Sequence, residues 1–375
     1  MRVLFLILTI VSLSAVVPAQ SGVRPSPSPT PKADEQEPVR IFTEEVRLPI
    51  AATDTYGHYD PTLTIDDVMV LEDGQQQQIK SIQHLPANVL ILLDVGNQMG
   101  LKDTNLTRDV AMRVINSLFA GNRFAVMQFA MKPELLQTWT TDKPAIAKVL
   151  KTKMLSGKSS RLADAIAAAA DQFKDTAPGT RHLVIVSDGV DTPGGKVTMT
   201  NALKQLNSMQ ASVHILSYTV LAREQLEGQT KILSKGDGVQ RDGNPGSNPV
   251  ANGDPTLPPT ATRTPTFKIG SIDTDIAMRR KRKEYERATR ESEKQLSTIA
   301  EESGGQIFLP ANANELLAQA DSVARDIGSQ YVVTYRPTRP LSEARPGEYR
   351  KVEVASRRVG LYLRSRRGYV VPSYQ

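Results

Sequence analysis

The chain has 375 residues, 39% hydrophobic and 23% charged, a composition that supports folded globular units and excludes a wholly disordered polymer. Cysteine is absent, which removes disulfide frameworks, thiolate zinc sites, iron–sulfur clusters and cysteine nucleophiles together. The formal net charge is +6 with a pI near 9.3, so an anionic partner has to be weighed on electrostatic grounds.

Residues 1–19 read as a secretory signal peptide. Met1-Arg2 precedes an apolar run from Val3 to Val17, and Val17 and Ala19 place small residues before a cleavage site. The run is too short to cross a bilayer comfortably, so a periplasmic or secreted protein is expected. Residues 20–40 are rich in Pro, Ser and charge, and are expected to form a disordered linker.

Strand patterns follow at Ile41–Ala52, Val68–Leu71 and Ile79–Ile82, separated by Asp- and Gly-bearing turns. From Val89 the rhythm changes. Val89–Leu93 is continuously apolar, as in a strand buried on both faces, and Ala111, Val114, Ile115 and Leu118 recur at helical spacing. Phe124–Phe129 reads as a strand, Leu162–Phe173 as a helix, Leu183–Val186 as a strand, Ala202–Met209 as a helix and Val213–Tyr218 as a strand. This alternation predicts a doubly wound α/β fold with a mainly parallel sheet.

Residues 221–274 carry Gly, Asn, Pro and Thr with little periodicity and are expected to be a largely disordered insertion. A charged helix is predicted over 275–303. Its Arg279–Lys283 run followed by glutamates has the texture of a solvated face. A short strand at Gln306–Leu309, an amphipathic helix from Leu316 to Ile327, and strands near Gln330–Tyr335, Tyr349–Ala355 and Leu361–Arg366 complete the pattern.

In an open parallel sheet, ligands sit beyond the carboxyl ends of the strands. Three loops meet that description: Asp94 to Met99, Ser159-Ser160, and Asp188 to Asp191. Two strand-end aspartates and a hydroxyl form a hard oxygen set suited to Mg²⁺ or Ca²⁺. The element order and these loops resemble a von Willebrand factor type A domain, whose metal-ion-dependent adhesion site joins a D-x-S-x-S loop, a Thr and a later Asp. In that family the metal's open position usually accepts a carboxylate from a protein partner. Asp94 matches the first Asp, Ser160 stands at the Thr position and Asp188 matches the later Asp. Gly96 and Gln98 replace the two serines. The resemblance therefore implies a weakened divalent-metal site of Asp94, Gln98, Ser160 and Asp188. The alternative is that the two aspartates cap loops and helix N-termini without a metal.

The flanks extend the likeness. Leu63–Gly74 (LTIDDVMVLEDG), Ala300–Phe308, Gln330-Tyr331 and Arg367–Tyr369 resemble exported VWFA-related proteins of acidobacterial type. That resemblance implies an A domain over 85–328, with strands of 41–84 and 329–375 forming an accessory β-unit. It also implies a non-enzymatic module that binds a protein in the envelope or outside the cell. A metal-free scaffold binding through other surfaces is the competing reading.

Remaining motifs are weaker. Gly157-Lys158-Ser159 lacks the first glycine of a phosphate loop, because Thr152 stands there. His58, His84, His182 and His214 are scattered, and no G-x-S-x-G elbow occurs. An enzyme is the least supported class. Arg364 and Arg366 lie on one strand face as a candidate anion patch, although basic edge strands also resist aggregation. Basic patches could touch anionic surfaces weakly; nucleic acid does not fit an exported chain.

Overall fold

A computed structural model describes residues 45–97, 100–174, 176–236 and 270–371, with side chains omitted over 228–236 and 270–278. The expected signal peptide and linker, Gln98 and the middle of the expected insertion lie outside these residues. The central element is β5 (Ala87–Asp94), every residue of which is buried. It pairs in parallel with β6 (Arg123–Phe129) on one side and β8 (Thr180–Ser187) on the other. Beyond β8 lie β9 (Ser212–Ser217) and the two-residue β10 (Ile307–Phe308), both parallel. Beyond β6 lies β7 (Pro133–Thr140), antiparallel, giving the order β10-β9-β8-β5-β6-β7.

Strand periodicity divides the core. Val89, Ile91 and Leu93 point to one face, against α1 (Thr104–Ser117), α2 (Lys143–Lys153) and α7 (Ala313–Gly328). Leu90 and Leu92 point to the other, against α3 (Leu162–Gln172), α4 (Met199–Ser208) and the last turns of α6 (Gly270–Ser303). Helices on both faces of a largely parallel sheet are the predicted doubly wound arrangement. Residue patterning does not mark β7 and α2: β7 is a half-buried edge strand, and α2 buries only Ile146 and Leu150, so neither has a strong apolar period.

The flanking strands form a sandwich. β1 (Val46–Thr53), β4 (Ile79–Gln83), β11 (Gln330–Tyr335) and β13 (Tyr362–Ser365) make one sheet, in the order β13-β1-β11-β4. β2 (Val68–Glu72), β3 (Gln75–Gln76), β12 (Tyr349–Ser356) and β14 (Gly368–Val370) make the other, in the order β14-β12-β2-β3. Both sheets pair strands from the two ends of the chain, so neither end could form this unit alone. Its apolar core includes Leu48, Ile50, Val70, Val333 and Tyr335. A polar knot is set into it: Arg350, fully buried, donates to Glu72 at 2.8 Å and to the carbonyls of Arg339 and Pro340. Tyr335 and Tyr369 donate to the other Glu72 oxygen.

Two expectations change. The stretch read as a disordered insertion over 221–274 is helical at both ends: α5 spans Thr219–Gly236 and α6 starts at Gly270. Leu221, Ala222 and Leu226 supply a short helical stripe that is buried, Ala222 and Leu226 packing with Tyr285. The charged helix is also not merely solvated. Tyr285, Thr289, Ser292, Leu296, Ile299 and Ser303 form a buried stripe at alternating three- and four-residue spacing. Four of those six residues bear a hydroxyl, which hides the stripe from an apolar count. No helix among the described residues is long and apolar enough to cross a membrane.

Arg350→Met should lower the unfolding free energy by about 3–5 kcal/mol in urea titration, because it leaves Glu72 as a buried charge without its cation. Combining it with Glu72→Gln should recover part of that loss.

Candidate functional site

Parallel pairing of β5 and β8, with Leu93 beside Val186, brings the ends of both strands to one edge. Asp94 closes β5, Ser187 closes β8, and Asp188 follows immediately. Ser160 arrives from the loop before α3, held by Thr192 N–H donating to its carbonyl at 2.7 Å. The structure thus gathers Asp94, Ser160 and Asp188, all buried. Gln98 lies outside the described residues.

The centre of this cluster is a lysine. Lys102 Nζ stands 2.6 Å from Asp94 Oδ2 and 3.3 Å from Asp188 Oδ2. Its loop is clamped by Asn97, whose side chain donates to the Lys102 carbonyl at 3.1 Å and accepts from its N–H at 3.2 Å. The other carboxylate oxygens are also engaged. Asp94 Oδ1 accepts from Ser160 Oγ at 2.6 Å and from Gly96 N–H at 3.0 Å, and Oδ2 accepts from Ser187 Oγ at 2.6 Å. Asp188 Oδ1 accepts from Val190 N–H at 3.1 Å, and Oδ2 from Tyr285 Oη at 2.6 Å.

Helix α6 covers this edge. Besides Tyr285, Ser292 Oγ donates to the Asp188 carbonyl at 2.7 Å. Gly189 has φ of +70°, and a side chain there would run into Leu296 and Ser292 of the helix. Only glycine meets both demands. Gly96 is equally constrained: a Cβ would overlap Ser160 Oγ and the Ser159 carbonyl. A serine at 96, as the adhesion-site pattern has it, does not fit beside Ser160 in this packing.

The electrostatics follow from burial. Asp94 is pushed above the ordinary carboxylate range by burial, opposed by Lys102 and reinforced by the negative charge of Asp188. Burial alone would depress Lys102, but Asp188 and Asp94 together outweigh it and hold the ammonium above its usual range. Burial, with Asp188 beside it, also raises the Tyr285 phenol, which therefore stays a proton donor.

These residues do not fit a divalent ion. A Mg²⁺ or Ca²⁺ site needs about six or more oxygens free to face the cation. Here each carboxylate oxygen accepts from the protein, and the position between the carboxylates belongs to an ammonium. Among the described residues, no group of three or more His, Cys, Asp or Glu converges as a metal cluster. Lys102 and Tyr285 were not legible as site residues: a lone lysine in a loop and a tyrosine in a charged helix carry no motif. Ser187 and Asn97 lie within the stretches the motifs occupy, but outside the motif positions.

Lys102→Met should destabilise the fold by about 3–5 kcal/mol at neutral pH, because two buried carboxylates lose their cation. A carboxyl whose folded pKa is raised favours folding in its protonated form. The deficit of this variant against the parent should therefore narrow as pH falls from 7 toward 5, measured by urea unfolding at each pH. In the parent, the Lys102 contribution is complete below the ordinary lysine range and is lost only as pH rises through its elevated value.

Residues 88–240 match the family described as von Willebrand factor type A domain. No curated protein matches the chain. Among solved structures, the conserved hypothetical protein BatB from Bacteroides thetaiotaomicron is 20% identical, covering 35% of this chain and 66% of its own, with a TM-score of 0.31. An aerotolerance-related membrane protein from Bacteroides fragilis NCTC 9343, carrying multiple mutations to serine, is 17% identical over 64% of this chain and 98% of its own, with a TM-score of 0.38. A von Willebrand factor type A protein from Catenulispora acidiphila is 9% identical over 84% of this chain and 75% of its own, with a TM-score of 0.42. The chain thus spans about two thirds of BatB. With its doubly wound sheet and the family match over its central residues, the chain carries a von Willebrand factor type A domain.

Proposed function

We propose that this chain is an exported, non-enzymatic protein-binding module whose A domain works without a divalent metal. The observation that carries the reading is the Lys102 ammonium between Asp94 and Asp188. In the adhesion-site chemistry that the sequence resembles, a metal offers an open position to a partner's carboxylate. Here the cation is tethered, and the Asp188 oxygen that faces it also accepts from Tyr285. Binding then falls to the rim of the same sheet edge.

Two loops of that rim support it. Ser159 Oγ donates to Met131 Sδ at 2.6 Å and Arg161 N–H donates to the Ala130 carbonyl at 2.9 Å, so the β6–β7 turn and the 155–161 loop form one surface. On it Leu155 is 69% exposed and Met131 46%. Lys132, Lys151, Lys153 and Lys158 are exposed around them. An apolar anchor ringed by lysines suits an acidic protein segment bearing an apolar side chain.

Affinity capture from the native envelope fraction should return the same partner with and without chelator, and titration with Mg²⁺, Ca²⁺ or Mn²⁺ at millimolar concentration should release no binding heat. Leu155→Asp should weaken capture by about tenfold or more with folding retained. Chelator-sensitive capture, or saturable metal heat, would sink the metal-free reading.

A further inference from the structure

A cleft of about 310 Å³ lies at the seam of the A domain and the sandwich, near the amino ends of the parallel strands. It is lined by Arg47 of β1, Arg181 of β8 and Arg366 just after β13, with Leu85, Thr180 and Gln210 among the rest. None of its described lining residues is acidic. Arg366 is 6% exposed. Its Nη2 donates to the Gln210 carbonyl at 2.9 Å, while its buried Nε has no partner. Arg181 is half-buried and donates to the Met209 carbonyl at 2.9 Å and to Thr176 Oγ1 at 3.1 Å. Neither guanidinium meets a carboxylate.

Other arginines of this fold do meet carboxylates. Arg350 closes on Glu72, Arg364 on Asp326, Arg358 on Asp60 and Arg113 on Asp321. Of the two arginines of the expected anion patch, Arg364 is held by Asp326 and by the carbonyls of Gly304 and Gly305, whereas Arg366 has no carboxylate partner and lines this cleft with Arg181. Burial lowers Arg366 to about 10, and the charge of Arg181 acts in the same direction. Unpaired buried cations are costly, and two of one sign in one cleft more so. A guanidinium binds oxyanions through paired N–H donors. Three of them, arriving from three separate strands, carry more charge than one carboxylate neutralises. Arg47, exposed, lines the same cleft.

We infer that the cleft between Arg47, Arg181 and Arg366 is a binding site for a tetrahedral oxyanion, a phosphate either free or at the end of a larger molecule. Its occupant would touch β1 of the sandwich and β8 of the A domain at once, and so brace the two against each other. The site is independent of the Lys102 cluster, which lies at the opposite ends of the strands.

The test is isothermal titration and thermal unfolding of the full chain with inorganic phosphate and, separately, with a sugar phosphate, each against chloride at matched ionic strength. Saturable single-site binding and a raised Tm with phosphate but not chloride are expected. Tighter binding of one probe identifies which source the site serves. Arg181→Gln should weaken affinity by about tenfold or more, and Arg47→Gln by several-fold. Arg366→Gln removes a bond to Gln210 and could unfold the seam, so the exposed Arg47 provides the variant that keeps its fold. A Tm response equal to that of chloride, or affinity unchanged in both Arg47→Gln and Arg181→Gln, overturns the proposal.

Discussion

The sheet edge is organised by one ammonium held between two buried carboxylates. Asp94 and Asp188 come together because parallel strands end side by side, and two negative charges so placed in a buried setting repel. Something cationic has to stand between them. Lys102 does so from within the chain, and the surrounding geometry is built to that choice. Asn97 clamps the lysine loop, Gly96 yields its side-chain space to Ser160, and Ser187 fills a lone pair of Asp94. The cluster is thus fully partnered from within the chain, with a tethered ammonium between the two carboxylates.

Helix α6 completes that arrangement. Its buried stripe alternates apolar packing at Leu296 and Ile299 with hydroxyl contacts at Tyr285 and Ser292, so it seals a polar edge without stranding the groups beneath. Its opposite face keeps the charges that make it soluble. A purely apolar helix would leave Asp188 short of a donor, and a purely polar one would not cover Gly189.

The sandwich uses the same logic of compensated charge. Arg350 and Glu72 pair inside its core, and Arg364 ties β13 to Asp326 of α7 in the A domain. Because β1 pairs with β11 and β12 with β2, the sandwich closes only after the A domain between them has been traversed. The two parts therefore depend on each other. Arg181 and Arg366, by contrast, meet only carbonyl and hydroxyl oxygens.

Much of this was legible from residue order. The apolar runs at Val89–Leu93 and Leu183–Val186 and the helical stripes between them specify the doubly wound sheet, since burial on both faces demands continuous apolar strands. The places of Asp94 and Asp188 follow from strand-end position, and that of Ser160 from the resemblance to the adhesion-site pattern. What escaped notice is informative. β7 and α2 bury too little to leave a period, and the α6 stripe is written in Tyr, Thr and Ser, which read as surface residues until a partner surface accepts their hydroxyls. Residue order specifies which strands are central and which carboxylates meet. What stands between those carboxylates depends on folding, because the cation comes from a loop residue, Lys102, that carries no pattern until the fold brings its ammonium to Asp94 and Asp188.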